Sequence, residues 1–126
     1  MQFASIRIIT DDLAGMVQFY ERVTGTEARR PAPVFAEIVT GAGSVIALAT
    51  PATVAMLGSG APAAGLGGSI IVEFLVGDVD AEYERLRDHL DDVVLPPTTM
   101  PWGNRSLLVR DPDGNVVNLF SRPSSS

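Results

Sequence analysis

The chain has 126 residues: nine arginines, no lysine, fifteen acidic residues, one histidine and no cysteine, a length that suits one domain. A hydrophobic share of 46% supports a real core, and a net charge of −6 with scattered arginines excludes the clustered cations that nucleic acid requires. The missing residue types exclude disulfides, thiolate nucleophiles, cysteine metal sites, Schiff-base and P-loop lysines, and a multi-histidine metal site within one chain.

The N-terminus, Met1 to Arg7, has no apolar signal core, and no span approaches the roughly 20 apolar residues that cross a bilayer. A cytoplasmic protein with no membrane partner is expected. Phe3 to Ile9 alternates, with Ile6 and Ile8 on one face and Ser5, Arg7 and Ile9 on the other, predicting a strand with one buried face. Thr10-Asp11-Asp12 supplies N-cap oxygens for a helix whose apolar stripe is Leu13, Met16, Val17, Tyr20 and Val23, with Gly25 as its stop. Strands are expected at Thr26–Arg30, Val34–Val39 and Ser44–Ala49, the last two joined by a turn at Thr40-Gly41-Ala42-Gly43. From Pro51 to Gly68 the residues become small, which predicts a mobile linker without core.

Beyond it the first pattern recurs. Ile70–Val76 reads as a strand, Asp78 as an N-cap, and Val79, Tyr83, Leu86 and Leu90 as a helical stripe. Strands follow at Val93–Leu95, Arg105–Arg110 and Asn115–Ser121; Asp111-Pro112-Asp113-Gly114 is the hairpin between the last two. Arg122 to Ser126 is expected to fray. Aligned on Asp12 and Asp78, Ser5 matches Ile71, Arg7 matches Glu73 and Ile9 matches Leu75. The sequence thus predicts an α+β fold of two tandem βαβββ units: unit 1 about 3–50, linker 51–68, unit 2 about 69–121.

Two segments, Thr10-Asp11-Asp12-Leu13 through Phe19-Tyr20, and Trp102-Gly103-Asn104-Arg105 through Asp111-Pro112-Asp113-Gly114-Asn115, resemble the vicinal oxygen chelate superfamily of glyoxalase I, extradiol dioxygenases, fosfomycin-resistance enzymes and bleomycin-resistance proteins. The resemblance spans about Phe3 to Phe120. It implies that each unit curls into a half-cup, that two half-cups line a cleft with helices outside, and that metal-dependent members place ligands at the positions of Ser5, Ala47, Ile71 and Asn118. Alanine and isoleucine cannot ligate, and serine and neutral asparagine are poor donors here. No metal and no cofactor are therefore expected, and metal-dependent glyoxalase or dioxygenase activity is not.

Arg7 and Glu73 are charges inside otherwise apolar strands, at equivalent positions on the side away from the helices. They either pair with each other or with neighbouring charges, or orient a polar ligand. Trp102 either covers the core edge or stacks on a planar ligand. Asn118 offers a donor and an acceptor beside Phe120 if Val117 and Leu119 face the helix, and Arg105 is a further candidate of undetermined face. Arg110 is expected to pair locally with Asp111, and His89 to be a solvated surface residue. Asp111 and Asp113 lack calcium-loop spacing, and Gly58, Gly60, Gly65, Gly67 and Gly68 do not follow a strand into a helix.

The resulting expectation is a metal-free glyoxalase/bleomycin-resistance-like protein that binds a small cationic or aromatic molecule through Ser5, Arg7, Glu73, Trp102, Arg105, Asn118 and Phe120, possible drug sequestration included. The alternatives are a metal-independent isomerase or lyase with Glu73 as base, and a subunit whose fold serves assembly. A half-cup exposes a strand edge and an apolar face, so a homodimer is expected, with Ser5 and Arg7 of one chain able to share a cleft with Asn118 of the other.

Overall fold

In the computed structural model, which describes residues 1–41 and 43–123, the elements run in chain order as β1 (Ile6–Ile9), α1 (Leu13–Thr24), β2 (Arg29–Ala32), β3 (Phe35–Thr40), β4 (Ser44–Ala49), β5 (Ile71–Leu75), α2 (Val79–Leu86), β6 (Val93–Thr99), β7 (Arg105–Arg110) and β8 (Val116–Ser121). The predicted α+β repeat is present. The chain divides into two units, Met1–Leu66 and Gly67–Ser126, each a four-stranded mixed sheet, ordered β1-β4-β3-β2 in the first and β5-β8-β7-β6 in the second.

In the first unit the Asp12 carboxylate caps α1 by accepting from the Gly15 N–H at 3.0 Å, and Gly25 ends the helix in the left-handed region at φ 67°. The buried stripe Met16, Val17, Tyr20 and Val23 packs toward β3 and β4, where Ala36, Ile38 and Leu48 are fully buried. β1 runs parallel to β4, pairing Arg7 with Ala47, and β3 runs antiparallel to β4, pairing Glu37 with the same Ala47. Directly opposed residues share a face. Arg7, Ala47 and Glu37 therefore lie together on the face away from Ile38 and Leu48.

The second unit repeats this plan. Asp78 caps α2 through the Ala81 N–H at 3.1 Å, and Val79 and Leu86 are buried. Leu107, Val109, Val117 and Leu119 form the helix side of the sheet, each at most 1% exposed. The hairpin before β8 is tied by Asp111, whose Oδ1 accepts from the Asp113 and Asn115 N–H groups and whose Oδ2 accepts from Asn115 Nδ2.

Four expectations are corrected in detail. Pro51–Gly60 forms 3₁₀ turns rather than linker, and Val54, 3% exposed, joins Ile9 and Ala49 in a small core with Phe35, Ala61 and Ala64 packed on it. β6 continues through Pro96 and Pro97, and β2 is displaced from Thr26–Arg30 to include Pro31. Both are edge strands, where a missing N–H costs no ladder bond. The second helix stops at Leu86, and Arg87–His89 continues as a 3₁₀ turn. The expected turn residue Ala42 and the tail residues Ser124, Ser125 and Ser126 lie outside the described residues. Among the described residues no helix is long and apolar enough to cross a membrane.

Candidate functional site

The face of each sheet that turns away from its helix carries the polar groups. In the second unit, parallel register places Glu73 opposite Asn118 and Leu75 opposite Phe120, while antiparallel register places Leu108 opposite Asn118 and Ser106 opposite Phe120. Val117 and Leu119, buried on the helix side, alternate with Asn118 and Phe120 as the pattern predicts. Asn118 Nδ2 donates to Glu73 Oε2 at 2.9 Å. An ionised carboxylate only accepts, so Glu73 fixes which end of the amide faces it. The other end, Asn118 Oδ1, is buried without a donor among the described residues. Ile71 and Leu75 flank Glu73 on the same face and are 57% and 56% exposed. The result is an acceptor pair set in apolar surroundings. Phe120 is half-buried on that face, with the Arg122 guanidinium carbon 5.9 Å from its ring centroid.

In the first unit, Arg7 is exposed on the corresponding face, and Ser5 is exposed just before β1. The sequence reading passed over Glu37, which the register places on this face as a half-buried carboxylate. Its signal was present: Ala36 and Ile38 alternate with it, so parity alone sends Glu37 to the side of Arg7.

Arg105 lies on the other side. Its position shares parity with Leu107 and Val109, and its Nε and Nη2 donate to Asp80 Oδ2 and Oδ1 at 2.7 and 2.8 Å. Its Nη1 reaches Thr99 Oγ1 at 3.1 Å. The paired guanidinium, chiefly through the hydrogen bond, holds the Asp80 carboxyl below its usual value. Arg105 therefore fastens β7 to α2 and β6 and is not on the open face. Trp102 projects from the β6–β7 turn, 70% exposed, a turn closed by Met100 N–H donating to Asn104 O at 2.7 Å. Arg110 pairs with Asp92 at 3.3 Å and donates to Gly114 O; Asp111 beside it is turned inward, 4% exposed. His89 is exposed, as expected of a surface residue.

The positions that the resemblance assigns to metal ligands hold Ser5, Ala47, Ile71 and Asn118, a set without imidazole or carboxylate that does not fit a divalent ion. Among the described residues, no three His, Cys, Asp or Glu side chains group to hold a metal.

The profile of the Glyoxalase/Bleomycin resistance protein/Dioxygenase superfamily matches residues 2–119. No curated protein matches the chain. A crystal structure of a glyoxalase/bleomycin resistance protein/dioxygenase from Nocardioides is 26% identical with a TM-score of 0.77, over 100% of this chain and 87% of that one. A glyoxalase-related enzyme from Fulvimarina pelagi has a TM-score of 0.80 at 22% identity, over 97% and 88% of the two chains. A glyoxalase/bleomycin resistance protein/dioxygenase family enzyme from Burkholderia phytofirmans PsJN has a TM-score of 0.77 at 20% identity, over 94% and 96%. The last two establish a shared fold.

Proposed function

The chain belongs to the Glyoxalase/Bleomycin resistance protein/Dioxygenase superfamily, and on that premise we propose that it binds a small amphipathic molecule carrying a cationic or N–H-rich group, without using a metal, as a cytoplasmic homodimer. The observation that carries the reading is the Glu73–Asn118 pair. The 2.9 Å hydrogen bond steadies the carboxylate, and Glu73 remains exposed between two exposed aliphatic side chains. A carboxylate held in this way presents its remaining lone pairs to a ligand cation, and Ile71 and Leu75 offer the ligand apolar contact. Phe120 adds an aromatic contact on the same face, Trp102 is a stacking surface and an optical reporter, and Ser5 and Arg7 stand by themselves on the first unit as further polar candidates. Sequestration of a toxic compound is one use of such binding.

The test is calorimetry or Trp102 fluorescence against a wide panel of aromatic and cationic compounds. Binding is expected to fall about tenfold or more in Glu73→Gln, the scale of a lost charge-assisted hydrogen bond. No response from calorimetry across the panel overturns the reading. Stoichiometric Ni, Zn, Mn or Fe in protein purified without chelator overturns its metal-free part. A monomer at micromolar concentration in sedimentation overturns the dimer.

Glu73 is also placed to take a proton, because only one of its oxygens accepts from Asn118. As the base of a metal-independent isomerase or lyase, it would make turnover vanish in Glu73→Gln while ligand affinity changed little. The binder instead loses affinity in Glu73→Gln and has no turnover in either form.

A further inference from the structure

Resting on the small-molecule reading above, we infer that the open face of the first sheet recognises a zwitterion, with the ligand's anionic group at Arg7 and its cationic group at Glu37. One cross-strand row holds the argument. Arg29 on β2 is opposite Glu37 on β3, Glu37 is opposite Ala47 on β4, and Ala47 is opposite Arg7 on β1. The row therefore reads cation, anion, methyl, cation.

Arg7 and Glu37 stand two strand spacings apart, about 9–10 Å between backbones. Ala47 between them is 1% exposed and projects no polar atom, so neither charged head finds a partner there. Among the described residues, no ion pair or side-chain hydrogen bond engages Arg7, Glu37 or Arg29. Arg105 and Arg110, by contrast, are each satisfied by a carboxylate. A half-buried carboxylate and an exposed arginine on one face, neither engaged by the protein, are groups that a ligand of opposite charges can meet.

The row also says which partner. A simple cation at Glu37 would lie between two guanidinium groups, which oppose it. A simple anion at Arg7 would face the Glu37 carboxylate across one alanine. A molecule with both charges answers both, and guanidinium suits a carboxylate because it donates two parallel N–H bonds. Val39 and Val45 lie on the same face, both half-buried, and give the rest of the ligand an apolar bed. The class is an amino acid or a comparably small zwitterion with an apolar side group.

Three probes of matched shape test this on the full-length chain at pH 7: phenylalanine, phenethylamine and 3-phenylpropionate, titrated while the amide signals of Glu37 and Ala47 are followed by NMR. Phenylalanine is expected to bind at least tenfold more tightly than either single-charge probe. Arg7→Gln should abolish its preference over phenethylamine, and Glu37→Gln its preference over 3-phenylpropionate. Each variant is read as a ratio, so a general loss of fold cannot imitate the result. Equal binding of a single-charge probe overturns the zwitterion and leaves small-molecule binding standing. Binding of none of the three also overturns it, while the wider panel still decides the function above. If Arg7 and Glu37 instead close on each other, the two substitutions will couple in thermal stability and shift no preference, which overturns the inference as well.

Discussion

Val54→Ala asks whether residues 51–66 belong to the first unit or merely hang from it. Val54 is the buried residue of the 3₁₀ segment, packed with Ile9, Ala49, Phe35, Ala61 and Ala64. The substitution removes two methyl groups, worth about 1.6 kcal/mol at roughly 0.8 each. A residual cavity adds up to about 1 kcal/mol if the neighbours do not collapse; Ala61 and Ala64, on a chain of small residues, can settle, so the lower figure is expected. Because the segment is fixed to the sheet through this side chain, the loss should appear as local opening. Native-state hydrogen exchange reads it at Thr53, whose N–H donates to Thr50 O at 3.0 Å, and at Ala61, whose N–H donates to Gly58 O at 3.1 Å. Both should exchange about fifteenfold faster, while the amides of Ile38 and Leu48 keep their protection. Leu107→Ala, at a site 0% exposed in the second unit, is the contrast: about 2–5 kcal/mol lost across that unit's sheet. Unchanged exchange at Thr53 and Ala61 would refute the docking argument. Equal acceleration at Leu48 would refute its local character.

Asn118→Val should leave the melting temperature unchanged or raise it by up to about 5 °C, because relief of a buried acceptor without a donor, about 1–3 kcal/mol, outweighs or offsets loss of the exposed bond to Glu73, about 1 kcal/mol; ligand affinity should fall in the same variant, and a clear drop in melting temperature would refute the assignment. Asp80→Asn should cost stability near neutrality, and the difference from wild type should close in acid. Arg105 lowers the folded-state value of Asp80 below its ordinary 3.8, so the contribution is present above that value and disappears as pH falls through the lower folded one; a denaturation series from pH 7 to 2 checks the sign, and a difference that grows in acid refutes it. Gly67→Ala should destabilise by about 1–3 kcal/mol, since its Cβ would come within 2.7 Å of Asn115 N and 2.8 Å of Gly114 C. Gly60→Ala, with nothing within 4 Å and no positive φ, should be neutral in thermal denaturation or gain a few tenths of a kcal/mol.

The repeat was legible because period-two alternation and capping are local. Asp12 and Asp78 cap as read, and the parity of Val116 to Phe120 sorts the faces as read; in β1 the single buried face is corrected, since Ile6 is 53% exposed while Ile9, on the face of Arg7, is buried against Ala49 and Val54. The failures came where tertiary context overrides local signals. Pro31 and Pro96-Pro97 argue against strands until one knows that β2 and β6 are edges. Val54 shares its segment with Met56 and Leu57, which are 93% and 54% exposed, and nothing local says that Val54 is the one that Ile9 and Ala49 await. Arg105 was ambiguous because a single arginine at a strand start carries no alternation of its own; its face is fixed only by the register with Ser121 and the reach to Asp80. Glu37 was legible and passed over, since it sits in a strand read for its apolar residues.

What separates the two units is the residue beside the charge on the first strand. Both first strands carry one on the open face, Arg7 in one unit and Glu73 in the other, and both last strands supply its direct neighbour. In the second unit that neighbour is Asn118, which holds Glu73 by a hydrogen bond. In the first it is Ala47, which holds nothing, and the charge balance falls instead to Glu37 one strand further on. The amide restricts Glu73, so on the binding proposed above less ordering entropy would be lost there. Arg7 has no such tether and would lose its rotamer freedom on the same proposal. The same backbone register thus presents one preset acceptor and one adaptable cation, a division that follows from an asparagine in one repeat and an alanine in the other.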